Sequence, residues 1–352
     1  MPAAMIVGGA LWNLLSPRAY WGDYLLVAAV TVAGALLSLR HTIVAAVAIV
    51  LVEAALLFQG GYLGNAAVSA IELANLGFTG LIAIGVNRVV ARHGRRLQTM
   101  RSVAEAAQRA VLPAPPARVG PLAVAALYKA AHIEALIGGD AYAVQDTQYG
   151  TRLLIADVRG KGMGAVGVVS VLLGTFRAMA DQAPDLAVLA GHLERALVRE
   201  GSLREEEIRM EGFVTALLGE ITPEAEHVRL LSCGHPSPYL VHDATVRALD
   251  PSEPGLPLGM SGLGVPQPAP EIWPFPPGST LLLVTDGVTE ARDRSGTFYD
   301  PAARLSGQGP FRQPGQVIDA LVHDVEQWTG RPRDDDMAIL AITRTTSPPT
   351  GP

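Results

Sequence analysis

The first quarter of the chain is built from long apolar runs with almost no charge between them. Residues 24–39 are uninterrupted apolar or small sequence. Residues 42–58 form a second run broken only by Glu53, and residues 66–86 a third that holds Glu72 and Asn75. Each comes close to the roughly 20 residues a membrane-spanning helix needs. Three such runs, with so little polar surface to separate them, predict spanning helices rather than buried helices of a soluble domain. Residues 3–15 are short for a span and read as a tight fourth helix or an interfacial one. They have no basic start and no small-residue cleavage site, which argues against a cleaved signal peptide. Residues 87–111 then read as a helix leaving the membrane, stopped by Leu112-Pro113-Ala114-Pro115-Pro116. Its small and apolar residues at near-heptad spacing suit a short coiled coil or a packing helix.

After residue 120 the pattern shortens. Period-two and short apolar runs predict strands at 122–128, 142–145, 151–156, 213–221, 228–232, 239–241, 280–285 and 337–343. Helical spacing predicts helices at 163–181, 185–200 and 316–329. Residues 251–277, rich in proline and glycine, read as a loop insert, and 345–352 as a disordered tail. Strands outnumber helices and follow one another directly, which points to α+β with antiparallel sheets. The expected organisation is an all-α transmembrane region at 1–86 with three to four helices, a juxtamembrane helix at 87–111, one catalytic domain at 112–344 and the tail.

Composition supports that division. Of 352 residues, 49% are hydrophobic and only 17% charged, so part of the chain belongs in an apolar solvent. A net charge of −6 makes no case for nucleic-acid binding. A single cysteine, Cys233, excludes an intrachain disulfide and a cysteine-rich zinc site. Arg88, Arg92, Arg95 and Arg96 follow the third run and Arg40 lies between the first two, which places the rest of the chain on the cytoplasmic side. Arg18 counts the other way. Tyr20, Trp21 and Tyr24 suit an interface belt. Glu53 and Glu72, inside the runs, read equally as a ligand site or as protonated or hydrogen-bonded packing groups.

The chemistry lies in aspartates at strand tips and glycine turns. Asp157 ends the apolar strand Leu153-Leu154-Ile155-Ala156 and precedes Gly160-Lys161-Gly162. Asp140 follows Gly138-Gly139, Asp286 follows Leu283-Val284-Thr285, and Asp334-Asp335-Asp336 open the run that starts at Met337. One such aspartate is ordinarily a cap or turn residue. Several converging tips would crowd carboxylates that cannot all stay ionised without compensating cations. Oxygen ligands without His or Cys favour Mg²⁺ or Mn²⁺. Two such ions would activate a water for in-line attack on a phosphate ester, without a covalent intermediate.

These residues carry a resemblance. Gly138-Gly139-Asp140-Ala141-Tyr142, Asp157-Val158-Arg159-Gly160-Lys161-Gly162, Phe213-Val214-Thr215, Cys233-Gly234-His235-Pro236, Pro257-Leu258-Gly259, Val284-Thr285-Asp286-Gly287-Val288-Thr289-Glu290 and Asp334-Asp335-Asp336-Met337 occur in order. Together they resemble the metal-dependent PPM-type serine/threonine phosphatases, in the branch of stage II sporulation protein E. The resemblance covers roughly residues 112–344. It implies a sandwich of two antiparallel β-sheets flanked by α-helices, with two Mn²⁺ or Mg²⁺ ions at one edge. It also implies that Asp157 bridges both ions and that the Val158 carbonyl and Asp140 serve one of them. Asp286 and Asp335 would serve the other, with Asp334 and Asp336 as alternatives. Many eukaryotic relatives carry a histidine where this chain has Arg159, so Arg159 reads either as a phosphate ligand or as a solvated arginine. His235 reads as support for the sheet edge, Cys233 as a buried filler, and Lys161 like Arg159. The implied protein is a bacterial, multi-pass, membrane-anchored phosphatase with its catalytic domain in the cytoplasm, homodimeric through the linker helix. Its substrate would be a phosphorylated protein, by analogy an anti-sigma-factor antagonist. The alternatives are an inactive phosphatase-like receptor and a membrane sensor acting through Glu53 and Glu72.

Overall fold

The computed structural model describes residues 1–16, 24–59, 66–112, 114–129, 138–160, 162–202, 213–330 and 335–346. Arg18, Tyr20, Trp21, the connection 60–65, Lys161, Asp334 and the tail from 347 lie outside the described residues. The chain divides into two compact units, Met1–Met100 and Arg101–Pro352.

The first unit holds α1 (Pro2–Leu15), α2 (Tyr24–Leu36), α3 (Leu39–Gln59) and the first part of α4 (Ala66–Val111). Two segments, Leu39–Gln59 and Ser69–Arg95, are long and apolar enough to cross a membrane. At 14 and 13 residues, α1 and α2 are shorter than the roughly 20 required. Small residues bring the helices close. A Cβ on Gly34 would strike the Ala83 backbone, and one on Gly80 would crowd Ala46. The Asn87 side-chain amide donates to the carbonyls of Gly34 and Leu37 at 3.0 and 2.7 Å, closing the open carbonyl end of α2. The third apolar run and the linker helix, read separately from the sequence, form one 46-residue helix, because no proline interrupts it before Pro113.

The second unit is a sandwich of two sheets whose strand pairs are all antiparallel. One sheet runs β1-β2-β11-β10-β7-β8, from β1 (Arg118–Val119), β2 (Leu122–Lys129), β7 (Tyr239–His242), β8 (Thr245–Ala248), β10 (Thr280–Val284) and β11 (Met337–Arg344). The other runs β3-β4-β5-β6-β9, from β3 (Asp140–Thr147), β4 (Gly150–Val158), β5 (Val214–Ile221), β6 (His227–Cys233) and β9 (Glu271–Pro274). Helices α5 (Met163–Met179) and α6 (Leu186–Ser202) cover the five-stranded sheet, and a helix near the C-terminus, Pro314–Thr329, covers the six-stranded one.

The period of two along β10 and β11 shows how the layers form. Leu281, Leu283, Ala338, Leu340 and Ile342 belong to the core between the sheets, with Ile155 and Leu217. The intervening Leu282, Val284, Met337, Ile339 and Ala341 pack with Leu321 and Val325 of the C-terminal helix. Strands buried on both faces read as continuous apolar runs, which is why these two stand out in the sequence. The 251–277 insert is not loop throughout: Glu271–Pro274 forms β9, where Trp273 sits opposite Val228. Four residues bounded by prolines are too short a run to be read as a strand. The paired β1 and β8 are equally short and went unread for the same reason.

Candidate functional site

Two antiparallel hairpin geometries bring the aspartates together. Asp140 opens β3 and lies opposite Asp157 near the end of β4. The Val158 N–H donates to the Gly139 carbonyl at 3.1 Å. That makes Asp140 and Asp157 a non-hydrogen-bonded pair, the closer kind, with Cα atoms about 4.5 Å apart and side chains on one face. Asp157 is in turn opposite Thr215 on β5, so the three side chains form a row across the sheet. In the other sheet the end of β10 lies beside the start of β11, Val284 opposite Ile339. Asp286 starts the short helix α7 (Asp286–Thr289) just past β10, and Asp335 and Asp336 stand just before β11.

Close backbone approach needs glycine here. A Cβ on Gly139 would overlap the Val158 carbonyl oxygen, and one on Gly287 would overlap the Asp336 carbonyl. The result is a cavity of about 300 Å³ whose lining includes Asp140, Asp157, Val158, Arg159, Asp286, Asp335 and Asp336, together with Phe213 and Thr215. Every residue assigned from the sequence to the metal or catalytic set borders this one cavity. Asp140 and Asp336 are buried, Asp157 and Asp286 half-buried, and Asp335 exposed.

The electrostatics follow from crowding. Burial holds Asp140 well above the usual carboxylate range, and Asp157, Asp286 and Asp336 add to this while the Thr285 hydroxyl opposes it. Asp286 is pushed up to about 7, first by burial, then by Asp157, Asp335 and Glu290. Among the described residues, the single cation on the cavity wall is Arg159, facing five aspartates. Its guanidinium lies 5.1 Å from the centre of the Phe213 ring. Among the described residues no group of three His, Cys, Asp or Glu side chains is already drawn together enough to hold an ion.

Behind this row lie Thr285, Thr215 and Glu194, whose parts were not read from the sequence, beside His235 and Cys233, which were read as edge support and buried filler. The Thr285 hydroxyl donates to Asp140 Oδ2 at 2.7 Å. The Thr215 hydroxyl is 3.1 Å from His235 Nδ1. Burial lowers His235 to about 4, the backbone at Val284 and Thr215 opposing, so it is neutral at ordinary pH. Cys233 is fully buried. Glu194 on α6 accepts from the N–H groups of Gly259 and Ser261 at 2.5 and 3.0 Å. Leu258 exchanges backbone hydrogen bonds with Val214, which pairs with Val158. The Pro257-Leu258-Gly259 motif is thereby a brace between α6 and the strand beside the cavity. A hydroxyl at the tip of an otherwise apolar strand, as at Thr285, is the signal that could have been followed.

A family model described as stage II sporulation protein E matches residues 147–345. Among solved structures, the SiaA PP2C domain of Pseudomonas aeruginosa superposes with a TM-score of 0.56 at 18% identity, over 72% of this chain and 98% of that one. The phosphatase domain and regulatory fragment of SpoIIE from Bacillus subtilis gives 0.52 at 18%, over 65% and 64%. The RsbU and RsbW domains of a Mycobacterium tuberculosis protein give 0.51 at 23%, over 67% and 64%. This chain thus spans 64% of the length of the latter two. At these identities the likenesses establish a shared two-sheet fold.

Proposed function

This chain belongs to the stage II sporulation protein E family of PP2C-type phosphatases, and from that premise we propose that it is a membrane-anchored, metal-dependent phosphatase acting on phosphoserine or phosphothreonine of a partner protein. One observation carries the reading: five aspartates from both sheets and one arginine surround a single cavity.

The donors fit hard divalent cations. Among the described residues they are all oxygens, with no sulfur or imidazole at the cavity. Ionised together, the five carboxylates and Arg159 leave four negative charges, which two divalent cations would neutralise. Burial first, and the neighbouring carboxylates after it, raise Asp140 and Asp286, and cations among them would favour the ionised forms. Asp140, Asp157 and the Val158 carbonyl would hold one ion, and Asp157, Asp286 and Asp335 the other. When bound, such ions acidify water and draw charge from phosphoryl oxygens.

The chain's own residues supply the rest. Gly139 and Gly287 admit the close backbone contacts that set the aspartates in place. Arg159, exposed at the cavity rim and placed over Phe213, offers paired N–H donors to a phosphoryl group. With a neutral buried His235 behind Thr215 and, among the described residues, no imidazole on the wall, water would supply the proton to the leaving serine oxygen. The substrate class is a phosphorylated regulatory protein, by family analogy an anti-sigma-factor antagonist. One solved relative joins an RsbU and an RsbW domain. The helices Leu39–Gln59 and Ser69–Arg95 support anchoring in a membrane, and Arg88, Arg92, Arg95 and Arg96 support a cytoplasmic catalytic unit.

The test is hydrolysis of a phosphoserine peptide by the purified chain with Mn²⁺, with Mg²⁺ and with EDTA, beside Asp157→Asn. Turnover that needs metal and falls at least about 100-fold in the variant is expected. No turnover with either metal, from a chain shown to be folded, would sink the reading.

A further inference from the structure

The aspartates of the cavity come from two different sheets, so something must keep the sheets in register at that edge. Thr285 does so with one side chain. It is fully buried and immediately precedes Asp286. Its backbone N–H donates to the Ala338 carbonyl at 3.1 Å, and its hydroxyl oxygen accepts from the Ala338 N–H at 2.9 Å. Both partners belong to the six-stranded sheet or its edge. The hydroxyl proton points out of that sheet, to Asp140 Oδ2 in the five-stranded sheet at 2.7 Å. The competing acceptor, the Ala338 carbonyl, is 3.4 Å away. With one oxygen lone pair engaged by Ala338 N–H, the proton is directed at the carboxylate.

Asp140 needs such a fixture. It opens β3, an edge strand whose one strand neighbour is β4. It stands directly opposite Asp157, so the two like charges push it away from the cavity. The hydrophobic cluster that joins the sheets holds them together without fixing a polar side chain's direction. We propose that the Thr285 hydroxyl is a positioning group that holds Asp140 across the gap between the sheets and so sets the affinity of the aspartate cluster for divalent cations. The inference rests on the metal reading given above. Its rival is a purely structural threonine that satisfies Ala338, whose loss would lower stability and leave the cation affinity of folded molecules unchanged.

The experiment is Mn²⁺ titration of the full chain by calorimetry, at a temperature where circular dichroism shows each protein folded. Thr285→Val keeps the shape and removes the hydrogen bonds, and should bind Mn²⁺ about 10- to 100-fold more weakly, as is usual when a group orienting a ligand is lost. Thr285→Ser should stay within about 3-fold of the unsubstituted chain, since it keeps the hydroxyl. Thr285→Ala differs from Thr285→Ser by the hydroxyl alone, and should be about 10-fold weaker than it. If Thr285→Val does not fold, the Ser–Ala pair decides. Equal Mn²⁺ affinity across the series, with the unsubstituted chain binding, overturns this inference alone. No Mn²⁺ binding by the unsubstituted chain overturns the metal reading and this inference with it.

Discussion

Arg159 and His235 occupy places where phosphatase chemistry could use a charged group, and their surroundings separate their parts. Arg159 is exposed, borders the cavity and carries its guanidinium over Phe213. If it binds the phosphoryl group as proposed, replacing it by alanine should raise KM for a phosphoserine peptide about 10-fold while leaving Mn²⁺ affinity unchanged. Arg159→Lys should recover only part of the loss, since an ammonium lacks the paired donors. Steady-state kinetics beside a metal titration reads both. His235 is buried and held to about 4 against an ordinary 6.5. Above pH 6.5 it is neutral in folded and unfolded chains alike, and its contribution to stability is complete. As pH falls from 6.5 to 4, only the unfolded chain takes up its proton, so stability declines by as much as about 3 kcal/mol. Melting curves over that range should fall more steeply for the unsubstituted chain than for His235→Gln, and parallel curves would refute the assignment. Asp140, Asp157, Asp286, Asp335 and Asp336, which border the cavity, were legible because several carboxylates recur at apolar strand tips and glycine turns, where one alone is ordinarily a cap or turn residue. Thr285 and Thr215 were not, because a hydroxyl's role depends on which carboxylate or ring it meets across the fold.

Elements differ in how far local pattern reveals them. Strands β4, β10 and β11 are apolar over nearly their whole length and were readable from it. The long α5 and α6 were readable from helical spacing, whereas β1, β8 and β9 depend on a partner strand for their existence. In β4 the polar Thr151, Arg152 and Asp157 flank the apolar run Leu153-Leu154-Ile155-Ala156, and the first charge in it is an anchor. Arg152 is fully buried, donates from Nε and Nη2 to Glu220 Oε2 at 2.9 and 2.7 Å, and donates from Nη1 to the carbonyls of Ala180 and Ala183 at 2.7 and 2.6 Å. It thereby pins the turn after α5 onto the sheet, and the Tyr149 ring covers it at 4.5 Å. Arg152→Met should cost about 3–5 kcal/mol, because Glu220 loses its buried partner and two carbonyls lose their donor. The exposed pair Lys129–Glu326 should contribute under about 1 kcal/mol. Chemical denaturation of both variants measures the contrast.

For the whole molecule, the charge-poor N-terminal unit and the strand-rich second unit behave as different solvents would require. The full chain should remain with membranes through alkaline carbonate extraction, which strips proteins held by surface contacts. Release into the soluble fraction would show that Leu39–Gln59 and Ser69–Arg95 are core helices instead. The division into an apolar helical part and an antiparallel α+β part was determined by the sequence itself, since long helices and strands buried between sheets impose distinct periods and run lengths on hydrophobic residues. So was the supply of carboxylates and glycines that the cavity uses. Two things were decided by tertiary structure alone. The four layers arise because alternate residues of β10 and β11 enter different cores. The aspartates, 196 positions apart between Asp140 and Asp336, become neighbours because antiparallel pairing places the start of one strand beside the end of another. Local pattern states what each segment can bury, but which tips meet depends on strand order, and strand order is settled only when both sheets close on a common core.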